Sequence, residues 1–396
     1  MKMKTIKDLN LHRQRVLMRV DFNVPLLDGQ VTDDFRIQAA LPSIEFCMEK
    51  GASLILMSHL GRPNGKYVKE LSLIPVGEVL SDIIEKSIKF STDCISQEGI
   101  NVSKHLIPGE IHLLENLRFH DGETENDPKI ANKLAQHGTV YVNDAFGTAH
   151  RAHASNVGVA PHYQQKGIGL LMEKEYAFLH DSMVEPKRPL VIVLGGAKIG
   201  TKLNLINRFI HYADEIIVGG GMAFTFLKVM GYSIGKSLVE EDLFETAAGI
   251  LKKAESKGVD IHFPKDFSVT DNIDSGIKLA EKKLGEIEDD EIALDIGSET
   301  ISSFRFIIEN ASTLVWNGPM GVFEKSEFRR GTMAIAKEIA NVKSRGGCSI
   351  IGGGDTAAAV RKFGMETFMS HISTGGGASL KLLAGQELPA LEALKE

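Results

Sequence analysis

At 396 residues the chain is about two domains long and can bury a large core. Hydrophobic residues at 43% and charged residues at 24% describe an ordinary globular protein, and a net charge of −7 argues against a general nucleic-acid binder. Anionic ligands must then be held by local clusters of cations. Cys47, Cys94 and Cys348 stand far apart with no C-x-x-C pair, which suits a reducing compartment. Met1-Lys2-Met3-Lys4-Thr5 lacks the apolar core of a signal peptide, and no apolar run is long enough to span a membrane. The expectation is a cytoplasmic protein.

The first strand signal runs from Arg15 to Pro25, with polar Arg19, Asp21 and Asn23 alternating with Met18, Val20 and Phe22. Period-two alternation brings the three polar groups out on one face. Asp33, Asp34 and Arg36 open a helix that runs through Cys47 and Met48 to Gly51. Ser53–Ser58 reads as a buried parallel strand and empties into His59-Leu60-Gly61-Arg62-Pro63. Further strand–loop units are Ile111–Arg118 and Val140–Asp144, the latter leading to His150-Arg151-Ala152-His153. With helical patterns between them, the first half reads as βα repeats. Arg36, His59, Arg62, Arg118 and Arg151 all fall just after strands or at a helix start, where open α/β sheets bind ligands. Such convergence suits a phosphorylated acid. His150-x-x-His153 lacks neighbouring Cys or acidic partners and is not read as a metal site.

Met172 to Pro189 is a charged helical stretch closed by two prolines, and it reads as an interdomain segment. Beyond it, the apolar strands Leu190–Leu194, Glu215–Val218, Thr313–Trp316 and Ser349–Ile351 each empty into a glycine-rich turn. In the last of these, Gly352-Gly353-Gly354 leads to Asp355 and Thr356 at a helix N-cap, followed by three alanines. Strand, glycine turn and helix N-terminus together bind anions. The run also fits a G-x-G-x-x-A dinucleotide pattern, but about 20 residues on no acidic residue ends a strand. Asp355 would face a pyrophosphate and repel it unless a cation lay between, so Mg²⁺-nucleotide is favoured over NAD. Gly231–Ser237 imitates a phosphate loop but has the wrong glycine spacing and follows a helical pattern. Glu286–Glu291 reads as a solvated acidic loop.

Taken together, Val20–Pro25, Ser58–Pro63, Glu115–Phe119, Asn143–Gly147 with Arg151, Gly195–Lys198, Trp316–Pro319, Gly352–Asp355 and Ser373–Gly377 resemble the phosphoglycerate kinases, end to end and in order. The resemblance implies reversible phosphoryl transfer between 1,3-bisphosphoglycerate and ADP, giving 3-phosphoglycerate and ATP, in glycolysis. It implies two Rossmann-like three-layer α/β/α domains with parallel sheets and a hinge helix. On that pattern, 1–172 with the returning segment 376–396 would bind phosphoglycerate, 173–189 would link, and 190–375 would bind nucleotide. Asp21, Asn23, Arg36, His59, Arg62, Arg118 and Arg151 would hold the acid. Lys198, Lys202, Glu324, Gly353, Gly354, Asp355 and Thr356 would contact nucleotide, with Asp355 on Mg²⁺ and with Arg36 and Lys198 flanking the transferring group. The resemblance further implies a monomer that works on small molecules, without nucleic acid or membrane. A nicotinamide dehydrogenase and a non-catalytic nucleotide binder are the competing readings. Two departures stand out: Ser298-Glu299 where the family commonly has Pro-Lys, and Ala384 where it has an acidic residue.

Overall fold

The computed structural model describes residues 3–274 and 277–395; Met1, Lys2 and Glu396, which close the sequence-based domain limits, lie outside the described residues. The chain divides into two compact units, one running to Ala177 and resumed from Glu387, the other Phe178–Gln386.

In the first unit, β1 (Arg15–Arg19) lies at the centre, and a short hairpin of β2 (Leu26–Leu27) and β3 (Gln30–Val31) follows it. β4 (Ser53–Met57), β5 (Ile88–Ser91), β6 (Ile111–Leu114), β7 (Val140–Asn143) and β8 (Lys166–Ile168) complete a parallel sheet ordered β5-β6-β4-β1-β7-β8. Register pairs Val16 with Leu54 on one side and with Val140 on the other. Val16, Met18, Leu54, Leu56, Val140 and Val142 share one face and pack with Ile37, Ile44, Val76 and Leu80 of the helices Phe35–Glu49 and Ile74–Ile84. Leu17, Ile55, Tyr141 and His112 take the other face and are equally buried, as a sheet covered on both sides requires.

The strand expected over Arg15–Pro25 stops pairing at Arg19. Beyond it Phe22 N–H turns to Ser58 Oγ, and Asn23 Oδ1 accepts from Gly61 N–H. The alternation therefore continues past the sheet edge, where it no longer serves a ladder.

In the second unit, β9 (Leu190–Leu194), β10 (Glu215–Val218), β11 (Asp260–His262), β15 (Thr313–Asn317), β16 (Cys348–Gly352) and β17 (His371–Ile372) form a parallel sheet. Its order is β11-β10-β9-β15-β16-β17. A feature not anticipated is an antiparallel sheet of β12 (Asp266–Thr270), β13 (Ala280–Lys283) and β14 (Ile292–Ile296), ordered β13-β12-β14. Its edge strand reads Ala-Glu-Lys-Lys, residues that favour helices and conceal a strand. Phe267, Val269 and Ala293 of this sheet pack on Phe224 and Leu227, and on Ile287 from the acidic loop. That loop is thus pinned as well as solvated.

The stretch expected to link the units is a helix over Leu170–Tyr176, a wider turn over Ala177–Asp181 and a last turn over Ser182–Val184. The boundary between units falls inside it. The returning segment starts later than Gly376. The helix Gly376–Leu383 buries Ala378, Leu382 and Leu383 within the second unit and is ended by Gly385 at φ +73. From Glu387 onward Leu388, Ala390, Leu391 and Leu394 are buried in the first unit, and Ala390 N–H bonds the Ala149 carbonyl at 3.1 Å.

Candidate active-site residues

The first unit gathers cations around one carboxylate. Asp21, just past β1, is buried and accepts from Arg36 at 2.5 Å. His59, after β4, has Nδ1 3.7 Å from Asp21 Oδ1 and 3.2 Å from an Arg19 guanidinium nitrogen. Burial first, then the charges of Arg19, Arg118, Arg151 and Arg36, push the His59 pKa well below the usual imidazole range, so the ring is neutral at pH 7. Arg118 lies in the turn after β6 and gives a hydrogen bond to the Gly61 carbonyl at 2.7 Å. Burial, together with Arg151 and Arg19, lowers its pKa to about 10. Arg151 is lowered by burial and by Arg62. Guanidinium groups depressed by one another mark a surplus of positive charge, which an anion would relieve. All seven acid-site residues expected from the sequence lie in this unit. Asn23 serves at least partly as a brace, through its bond to Gly61 N–H at 2.8 Å.

Arg19 was not among the expected site residues, although its alternation with Asp21 and Asn23 carried the signal. It is fully buried beneath His59. The two histidines of the H-x-x-H pair go separate ways: His150 Nε2 accepts from Arg151 at 3.2 Å, while His153 Nδ1 lies 3.6 Å from Glu123. Ligand-type atoms of Asp93, Cys94 and His120 do come within 4.8 Å of one another. There the imidazole is already bonded to Asp93 at 2.9 Å, and burial holds the Cys94 thiol well above its ordinary pKa.

The second unit's site is made of backbone. The turns after β9, β10 and β15 interlock: Gly195 N–H bonds the Asn317 carbonyl, Gly196 N–H bonds that of Pro319, and Met222 N–H bonds that of Gly196. A Cβ on Gly318, at φ +101, would collide with the Gly195 carbonyl, and one on Gly195 with that of Pro319. Those glycines answer to each other as much as to any ligand. Gly354 differs, since nothing lies within 4 Å of where its Cβ would stand.

The helix Gly354–Lys362 is capped by Gly353 at φ +90, not by Asp355 or Thr356. Asp355 sits in the first turn and is exposed. Thr356 is buried, and its Oγ1 accepts from Gly318 N–H at 2.7 Å, so it braces the neighbouring turn. Lys202 is buried; desolvation lowers its pKa while Asp355 and Glu240 act to raise it. Lys198 is exposed on the turn after β9. Glu324 and Asp355 line a cleft of about 460 Å³ together with Gly196, Gly220 and Gly221. Its apolar walls, Phe224, Leu238, Phe267, Leu294 and Met320, went unread in the sequence because each looked like ordinary core. A glycine floor, apolar walls and polar ends suit a nucleotide.

Ser298-Glu299 follows Asp295 and Ile296, which line this cleft, whereas Ala384 ends the helix Gly376–Leu383; all are locally satisfied. Ser298 Oγ donates to Glu281 at 2.7 Å, Glu299 N–H bonds Asp266 at 2.9 Å, and Ala384 N–H bonds the Leu380 carbonyl. β17 carries His371 and Ile372, with no acidic residue at its end for a dinucleotide ribose.

An undercompensated arginine cluster in one α/β unit and a glycine-floored cleft in another define a nucleotide-dependent transferase of small anionic acids. The family model described as phosphoglycerate kinase matches residues 6–386. The chain belongs to the phosphoglycerate kinase family. Over 394 residues it is 49% identical to the phosphoglycerate kinase of Chloroherpeton thalassium, covering 100% of this chain and 99% of that one. It is 48% identical to that of Thermosipho africanus, covering 98% and 97%. The solved phosphoglycerate kinase of Coxiella burnetii superposes with a TM-score of 0.89 at 40% identity, covering 99% of both chains. That of Pyrococcus horikoshii gives 0.86 at 34%, covering 99% and 98%. Neither a dehydrogenase nor a non-catalytic nucleotide binder is favoured. Among the described residues no helix is long and apolar enough to cross a membrane.

Proposed function

We propose that the family's reaction, reversible phosphoryl transfer between 1,3-bisphosphoglycerate and ADP, runs through the residues named above. The arginine surplus around Asp21 carries this reading. Arg62, Arg118, Arg151 and His59 hold the acid's phosphate and carboxylate, with Asp21 and Asn23 orienting the cations and the hydroxyl. Lys202, Gly353 and Gly354 take nucleotide phosphates, Glu324 takes the ribose, and the apolar cleft takes the base. Thr356 contributes by bracing the loop.

The attacking carboxylate is already ionised at pH 7, so no general base is required. Arg36 and Lys198 stabilise charge on the transferring group. An exposed carboxylate at the helix start, beside an open glycine, fits a Mg²⁺-nucleotide, and Asp355 would hold the ion. Bound there, the ion would supply charge neutralisation for the phosphates. In-line transfer needs the reacting atoms within about 3–3.5 Å and little water. The unit running to Ala177 supplies the acid's cations and Phe178–Gln386 supplies the nucleotide loops, so the two units close when both ligands are bound. The 173–189 stretch is one component of the hinge, and the working form is a cytoplasmic monomer.

The test couples ATP-dependent phosphorylation of 3-phosphoglycerate to NADH oxidation through a dehydrogenase acting on the acyl phosphate. Turnover that needs both substrates and Mg²⁺ is expected; its absence in folded protein would refute the reading. Small-angle scattering should show a smaller radius of gyration with 3-phosphoglycerate and a non-transferring Mg·ATP analogue bound. An unchanged radius at demonstrated double occupancy would exclude closure.

A further inference from the structure

Glu123 is wholly buried and lies outside the segments that carry the resemblance, between Glu115–Phe119 and Asn143–Gly147. Both its oxygens accept from one residue: Oε2 from Ser155 N–H at 2.9 Å and Oε1 from the Ser155 hydroxyl at 2.6 Å. A serine hydroxyl has a single proton, so with that proton on Glu123 its oxygen is free to accept Arg19 Nε–H at 2.9 Å. Arg19 also donates to the Val20 carbonyl and reaches His59 Nδ1 at 3.2 Å. A guanidinium has no acceptor, so Nδ1 must present its lone pair and the ring proton must sit on Nε2. Consistently, Asp21 Oδ1 stands 3.7 Å from the same Nδ1 and makes no hydrogen bond.

We propose that Glu123, acting through Ser155 and Arg19, fixes His59 as the neutral Nε2–H tautomer, a ready hydrogen-bond donor to the anionic acid. The three are positioning residues, and the proposal rests on placing His59 in the acid site. Their places in the chain give the relay its reach. Glu123 lies in the turn helix Asp121–Thr124 that follows Arg118, Ser155 lies in the turn Ala154–Gly158 that follows Arg151, and Arg19 ends β1. One carboxylate thus ties three substrate-facing segments together. The charged groups facing His59 are Arg19, Asp21, Arg36, Arg118 and Arg151. Without Arg19's donation, Nδ1 is free to take a proton from solvent and donate it in a hydrogen bond to the Asp21 carboxylate, which favours the charged ring as an ion pair. The acid site would then change charge within the physiological pH range.

The first test needs no variant and no turnover: ¹⁵N NMR of the ligand-free wild-type protein at pH 7. His59 should carry its proton on Nε2 and be bare at Nδ1; a proton on Nδ1, or a doubly protonated ring, overturns the proposal. The second uses Ser155→Ala, which deletes only the linking hydroxyl. The KM for 3-phosphoglycerate should rise about 3–10-fold with kcat within about twofold, the scale of one buried hydrogen bond. That KM should also acquire a titration near the ordinary imidazole value of about 6.5. In a His59→Gln background the amide donates without any tautomer choice, so Ser155→Ala should add less than about 1.5-fold there. An equal cost in both backgrounds would make Ser155 a packing residue and end the idea. Failure of wild-type turnover would instead remove the functional reading and leave the tautomer result standing.

Discussion

The acid site and the nucleotide cleft are built by opposite means. In the first unit the specificity lies in side chains: Arg19, Asp21, Arg36, His59 and Arg118 are held by one another, and their charges are left unbalanced toward a ligand. In the second it lies in backbone, with the turns after β9, β10 and β15 bonded through glycines that admit no Cβ. The lesson concerns failure. A side-chain site loses function one charge at a time, whereas a backbone site loses its shape first.

The largest contrast should come from Arg36→Ala. Removing a cation that acts mainly on transferring charge should cut kcat about 10³-fold, with a much smaller change in the KM for ATP. A variant keeping more than half of wild-type kcat would take Arg36 out of that role.

Gly318→Ala should do the reverse and destabilise the second unit by about 3 kcal/mol, because φ +101 and the Gly195 carbonyl both oppose a Cβ. Denaturant titration reads this directly, and a loss below about 1 kcal/mol would show that the interlocked turns can relax.

Acid should separate the units by sign. His112 and His137 are held near 4 by burial, against 6.5 when unfolded, so the unfolded chain binds more protons between those values and the first unit gains stability as pH rises. His59 adds to this, and Asp144, raised to about 6, opposes it. In the second unit, burial lifts Asp295 to about 7 from 3.8, so the folded state binds more protons and stability falls as pH rises. Glu281, held at about 2, has gained its full contribution by pH 4.5 and leaves that slope alone. Hydrogen-exchange protection should therefore rise in β6 and fall in β14 from pH 5 to 6.5. Parallel movement would refute the assignment.

The smallest effects sharpen the line inside the cleft. Gly354→Ala, into open space, should leave stability within about 0.5 kcal/mol yet weaken nucleotide binding about tenfold. Asp355→Asn should weaken Mg·ATP about tenfold and metal-free ATP hardly at all, measured calorimetrically. Equal weakening of both would leave Asp355 a first-turn acid on a helix and nothing more.

Reading from sequence succeeded where chemistry was local. Strand-end arginines and glycine turns are short-range patterns, and they located both sites. It failed where a residue's part depends on what lies across the fold. Thr356 looked like a ligand group, and only the nearness of Gly318 shows that its oxygen is engaged. Asp355 looked like a cap, but Gly353 can adopt φ +90 and takes that position. Arg19 sat in a visible alternation, yet its burial beneath His59 follows from pairing with β4 and β7. The antiparallel sheet was hidden by a charged edge strand, and the return point by a helix that looked continuous with the tail.

The returning tail has a consequence for how the protein is made. Residues up to Ala177 leave the ribosome first, but their unit is completed only by the segment from Glu387, which buries Leu388, Leu391 and Leu394 and bonds Ala149 beside the Arg151 turn. The unit begun second, Phe178–Gln386, has all its parts earlier. During synthesis the acid unit therefore keeps an uncovered apolar patch until the segment from Glu387 emerges, after every strand and helix of the nucleotide unit has been made.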